Sequence, residues 1–184
     1  MQKLSSFYLL VLLSSIAFLS ACNTKTTYET VKTEQKYSLD LPSYLEKGTG
    51  LHDNATLQYQ NLLKEFYVVV IEDDKENLYK VIDENGLEEM YPKNFTGYSN
   101  LLVEGFKENP DVKIDANFTE WKVGTLPAKN FDMTGKLEGI SIYYHYTLVE
   151  GKNTYYQVMQ WTLADRKEQY KEEMDKIAKS FKEF

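Results

Sequence analysis

The continuous run Phe66-Tyr-Val-Val-Val-Ile71 most restricts how this chain can fold. β-branched and aromatic residues follow one another there without a polar alternate, the pattern of a strand buried on both faces. A strand of that kind needs a covering layer on each side of its sheet. Asp73-Asp74 end the run. Before it, residues 37–41 alternate until Pro42 and residues 57–61 alternate again, so both read as strands. After residue 110 the pattern is again that of strands, over 112–114, 118–123, 128–133, 140–149 and 154–162. Gly124, Pro127, Gly135, Gly139 and Gly151 punctuate them, and residues 148–154 read as a hairpin loop.

Three stretches have helical spacing. Residues 76–83 form a short helix stopped by Asn85-Gly86. Tyr98, Leu101, Leu102 and Phe106 predict a helix over 98–107. Tyr170, Met174, Ile177, Ala178 and Phe181 form one apolar stripe and predict a helix over 165–184. Asp165 and Glu168 suit a capping box at its start. Glu172–Lys176 and Asp175–Lys179 suit exposed pairs one turn apart. Together these elements predict an α+β domain, a central antiparallel sheet packed between helices in an α/β/α sandwich.

The first 22 residues stand apart. Lys3 precedes a largely apolar stretch over 7–19, which is short for a membrane-spanning helix of about 20 residues. The stretch closes on Leu19-Ser-Ala-Cys22, and Cys22 is the only cysteine of the chain. This resembles the bacterial lipobox. The resemblance implies cleavage before Cys22, a diacylglyceryl thioether on its sulfur and an N-acyl chain. Each buried methylene contributes about 0.8 kcal/mol, so two or three acyl chains hold a folded domain stably at a bilayer. The expected organisation is a lipoprotein signal peptide at 1–21, a lipidated N-terminus and polar tether at 22–36, and a single globular domain at 37–184. No acidic run follows Cys22, which favours a periplasm-facing protein, at the outer membrane rather than the inner.

Charge and composition exclude several classes. Lys and Arg number 21 against 28 Asp and Glu, a net charge of −7 that argues against nucleic acid as a partner. Arg166 is the only arginine, so an arginine-lined anion site is not expected. A lone cysteine excludes an intrachain disulfide and any cysteine-rich metal site. Asp73-Asp74 and Asp83-Glu-Asn-Gly86 lack calcium-loop spacing and read as solvated turns. No cofactor motif is present, and no metal is expected.

The opening Tyr37-Ser-Leu-Asp-Leu-Pro42, the strand at 66–71, Gly124-Thr-Leu-Pro-Ala128, the paired strands at 140–148 and 155–161 and the closing Ile177-Ala-Lys-Ser-Phe181 resemble PsbP-like domains. That resemblance spans most of residues 38–181. It implies the same sheet between helices, in a group of binding and assembly factors rather than enzymes, and no family site residue carries over.

For chemistry, His145 sits in mid-strand within Tyr143-Tyr-His-Tyr146. No serine-hydrolase motif accompanies it and it reads as a structural histidine. His52 lies in a polar loop and is expected in solvent. Tyr143, Tyr144, Tyr146, Tyr155, Tyr156, Trp121 and Trp161 suit either sheet packing or the wall of a pocket. The sequence therefore points to a lipid-anchored, non-enzymatic binding or assembly module whose partner is unknown. The alternative is a carrier of a small apolar or aromatic ligand in a tyrosine-lined pocket.

Overall fold

The computed structural model describes residues 26–34 and 36–184. The signal segment and Cys22 lie outside the described residues. The element order is β1 (Tyr28–Thr33), β2 (Tyr37–Pro42), β3 (Glu46–Lys47), β4 (Ala55–Asn61), β5 (Phe66–Asp74), α1 (Lys75–Glu84), α2 (Phe95–Lys107), β6 (Lys113–Val123), β7 (Leu126–Leu137), β8 (Ile140–Glu150), β9 (Thr154–Leu163), α3 (Lys167–Lys179) and β10 (Lys182–Glu183).

Seven strands form the main sheet in the order β3-β4-β5-β9-β8-β7-β6, with every pairing antiparallel. β5 lies within it between β4 and β9, as its apolar run requires. Its side chains alternate in direction. Phe66, Val68 and Val70 join a core with Tyr143, Val158, Tyr170, Met174 and Ile177, whereas Val69 joins a second core with Tyr98, Phe131, Tyr146 and Tyr155. Helices α1 and α2 cover the second face. The first face is covered by α3 together with a small sheet, β1-β2-β10. The domain is α+β with its sheet covered on both sides.

Several local expectations change. Residues 28–33 were expected within the tether but form β1, paired with β2 from Tyr28↔Pro42 to Thr33↔Tyr37. Their apolar content is only Tyr28 and Val31, which suffices because an edge strand buries one side. Tyr28 is further held by its hydroxyl, which donates to Glu173 (3.0 Å), and by Lys176 over its ring. α3 is shorter than residues 165–184: Asp165 belongs to a 3-10 turn (Ala164–Arg166), and no side chain caps the helix start, so the capping box does not form. At the other end Ser180 stops the helix. Its hydroxyl donates to the Ile177 carbonyl and accepts the Asp40 N–H, so the chain turns back and adds β10 to β2. Finally, the two segments at 112–114 and 118–123 are one strand, β6, with a register irregularity between Asp115 and Thr119.

α2 begins at Phe95 rather than Tyr98 because Asn94 caps it, accepting the Gly97 N–H at 3.0 Å. Gly97 has a second constraint. A Cβ there would stand 1.9 Å from the Pro92 carbonyl oxygen, which is backbone and cannot rotate away. Gly97→Ala is expected to destabilise the domain by about 2 kcal/mol through overpacking, measured by urea unfolding. Unchanged stability would show that the 92–97 turn can open freely.

Candidate functional site

His145 is the centre of a polar row that crosses the sheet under α3. In register it faces Asp132 on β7 and Gln160 on β9. Alternation puts all three on the α3 side, where Lys171 and Asp175, one helical turn apart, come down onto them. His145 Nδ1 lies 2.7 Å from Asp132 Oδ1, and Nε2 lies 3.3 Å from Asp175 Oδ1. The second contact has ion-pair distance without hydrogen-bond alignment. Lys171 Nζ donates to Asp132 Oδ2 (2.7 Å) and to the Tyr143 hydroxyl (3.2 Å), with Lys167 Nζ at 3.8 Å from the same carboxylate. Gln160 donates to the Met174 carbonyl at 3.0 Å, tying the row to the helix backbone.

His145 is 2% exposed. Burial opposes its charge, but the hydrogen bond to Asp132 and the nearby Asp175 carboxylate outweigh it, and its pKa lies above the ordinary histidine value. Partial burial also works against the Asp132 charge. His145 and Lys171 overcome it and hold that carboxyl well below the usual carboxylate range. Asp175 is lowered too, first by His145, against its own partial burial. The row is thus a carboxylate–imidazole–carboxylate triad stapled by a lysine.

A cleft of about 370 Å3 opens beside this row, between α3 and the β6–β7 pair. Trp121, Thr119 and Asn130 form its sheet wall, Lys171 and Lys179 its helix wall, and Asp132, His145 and Asp175 its floor. The Trp121 Nε1–H and the Thr147 hydroxyl both donate to Asn130 Oδ1 at 2.8 Å, which fixes the wall. Such a cleft offers opposed charges and one indole. It can recognise a small polar or zwitterionic group. His145 thus has one carboxylate at hydrogen-bond distance from Nδ1 and a second at ion-pair distance from Nε2. Among the described residues, no group of three or more His, Cys, Asp or Glu side chains is placed to hold a metal ion.

His145 is therefore at a site, but its partners were not foreseen. Asp175 was expected to pair with Lys179 in solvent and instead faces His145. Lys176 sits over Tyr28 rather than closing on Glu172. One signal was available: Asp132 is a lone carboxylate between Phe131 and Met133, both buried. His52 is half-buried, and its Nδ1 accepts the Asn54 N–H at 3.2 Å.

Four of the tyrosines expected in sheet packing or in a pocket wall are in sheet packing. Tyr143, Tyr146, Tyr155 and Tyr156 are buried in the two cores. Tyr155 stacks on Tyr98 at 4.2 Å, Tyr146 stacks on Phe131 at 4.9 Å, and Tyr156 packs on Phe181 at 4.8 Å. Trp161 stacks on Tyr67 at 5.0 Å. Of the whole aromatic set, the cleft uses Trp121.

No protein-family model matches the chain, and no curated protein matches its sequence. Solved structures do match. The solution structure of cyanobacterial PsbP (CyanoP) from Synechocystis sp. PCC 6803 aligns with a TM-score of 0.60 at 12% identity, over 90% of this chain and 99% of that one. The fold is PsbP-like. LpqN of Mycobacterium tuberculosis, described as involved in cell envelope biogenesis, aligns with a TM-score of 0.50 at 11% identity, over 86% of this chain and 91% of that one. At these identities the likeness concerns the fold. The domain carries the row and cleft on its α3 side, and among the described residues no helix is long and apolar enough to cross a membrane.

Proposed function

We propose that this chain is a lipid-anchored, non-enzymatic binding or assembly module on the periplasmic side of a bacterial membrane, at the outer membrane rather than the inner. The observation that carries the reading is Cys22, the sole cysteine, at the end of Leu19-Ser-Ala-Cys22. It lies six residues before β1 begins. His145, 2% exposed and held between Asp132 and Asp175, agrees with the non-enzymatic half. An envelope-biogenesis protein with the same fold agrees with an envelope role. The polar cleft beside Trp121 is where this reading places a small partner group.

Cys22→Ala should move the protein from the membrane pellet to the soluble fraction. A Cys22→Ala protein that stays with membranes after a carbonate wash would overturn the anchor.

A further inference from the structure

Two hairpin tips project from the same end of the main sheet. Tyr67, Trp161 and Tyr144 pair across β5, β9 and β8 and mark one level of it. Leu63 lies four residues beyond Tyr67, and Ile140 lies four residues beyond Tyr144. The two tips stand about three strand spacings, or roughly 14 Å, apart. Both carry unburied large apolar side chains: Leu62 is 64% exposed, Leu63 92%, Leu137 64% and Ile140 55%.

Neither tip is a loose loop. In the β4–β5 turn the Lys64 N–H donates to Asn61 Oδ1 (2.9 Å) and the Glu65 N–H to the Leu62 carbonyl (3.3 Å). The Arg166 guanidinium donates to the Lys64 carbonyl at 2.9 Å. Glu65 takes a positive φ of 49° to close the turn. In the β7–β8 turn Glu138 and Gly139 both have positive φ, the two-residue geometry that suits a twisted hairpin. Local bonding thus fixes these turns while their leucines face outward.

The entry of the chain is at this end as well. The Thr27 carbonyl accepts the Ser43 N–H (2.9 Å), and the next residue's carbonyl, that of Tyr44, accepts Asn61 Nδ2 beside the first tip (2.8 Å). Cys22 is five residues before Thr27, a reach of at most about 17 Å. The opposite end differs. Its turns at Gly124-Thr125 and Lys152-Asn153 present no exposed large apolar side chain; the one apolar ring nearby, Phe184, is 56% exposed but has Lys32 and Lys182 over it, so this end offers a single cation-flanked ring rather than two apolar tips.

We infer that the β4–β5 and β7–β8 tips form a membrane-contact face, with Leu62, Leu63, Leu137 and Ile140 entering the headgroup layer of the bilayer that holds the anchor. The inference rests on lipidation at Cys22. It orients the domain with this end down and its long axis off the membrane, leaving the Trp121 cleft accessible along the side. Charges at the tips are mixed, Lys64, Lys136 and Lys167 against Glu65, Glu138 and Asp165, so apolar insertion rather than attraction to anionic lipid drives the contact.

The test uses the full lipidated chain in phosphatidylethanolamine–phosphatidylglycerol vesicles. With Cys22 blocked by its thioether, an introduced cysteine is the only free thiol. Leu63→Cys, Leu137→Cys and, as the far-end control, Lys152→Cys are labelled with an environment-sensitive nitrobenzoxadiazole dye. Vesicle binding should blue-shift the dye at 63 and 137, and nitroxide-bearing phospholipid should quench most of its emission there but not at 152, at low and high salt alike. Equal response at all three positions, or none at 63 and 137 while the protein floats with the vesicles, overturns the contact face alone. That includes the outcome of a dye shifted without lipid quenching, which would assign the tips to contact with a second copy of this chain. If the unsubstituted chain takes up dye at Cys22 and does not float, the anchor has failed, and the contact face falls with it.

Discussion

Phe66→Ala is expected to lose about 3–5 kcal/mol of unfolding free energy, among the largest losses open to a single substitution in this domain. Phe66 is fully buried at the start of β5. Its ring stacks on Tyr170 of α3 at 4.9 Å with planes 9° apart, and Tyr44 packs on it at 6.4 Å. It is thus the residue through which sheet, α3 and the strand-to-strand connection at Tyr44 meet. The void would be lined by a rigid sheet on one side, so collapse around it is limited. The Tyr44 hydroxyl also donates to Glu173 on α3, which keeps that wall in place. Urea unfolding at neutral pH measures the loss, and Phe66→Leu should restore most of it. A loss under about 1 kcal/mol would mean that α3 settles into the gap, and that the first core is less fixed than its stacking implies.

What could be read from the chain follows a physical division. Phe66 to Ile71 declared a doubly covered strand because its own composition forces that environment. Likewise Tyr170, Met174 and Ile177 declared the face of α3. Both signals are local. β1 and β10 were not legible, because two-residue and edge strands are made by a partner, here β2, and contain little of their own pattern. The site divides in the same way. His145 was visible as an unusual residue in a strand, but Asp132 meets it only through the β7–β8 register. Gly135 looked like a break in that pairing, and it is an ordinary position of β7 opposite Ile142. Asp175 was assigned to its helical neighbour Lys179 because sequence spacing shows i,i+4 geometry and not which helix flank is covered. The exposed leucines of the β4–β5 turn had no signal at all, since apolar residues in a turn are informative only once nothing is found to bury them.

Asp132→Ala is expected to cost about 3 kcal/mol near pH 5.5, and less as pH rises past neutrality. The substitution leaves a buried imidazolium facing Asp175 alone and strips Lys171 of its carboxylate. The sign of the pH dependence follows from the two kinds of group. The folded-state pKa of His145 lies above its unfolded value of about 6.5, so its contribution is fully present below that pH and is lost as pH rises through the folded value. Asp132 and Asp175 have folded values below the unfolded value of about 3.9, so theirs is present above that pH and is lost as pH falls through the folded values. The triad is therefore strongest between about pH 4 and 6.5, the window in which all three groups are charged in both states. Unfolding free energies of the unsubstituted protein and Asp132→Ala, measured from acid to mildly alkaline pH, should differ most in that window. They should converge above it as His145 loses its proton in the folded protein, leaving the lost Lys171 contact. His145→Gln should flatten the alkaline limb in both backgrounds. A difference that stays constant from acid to alkaline pH would show that Asp132 acts by packing and by Lys171, and that His145 folds neutral.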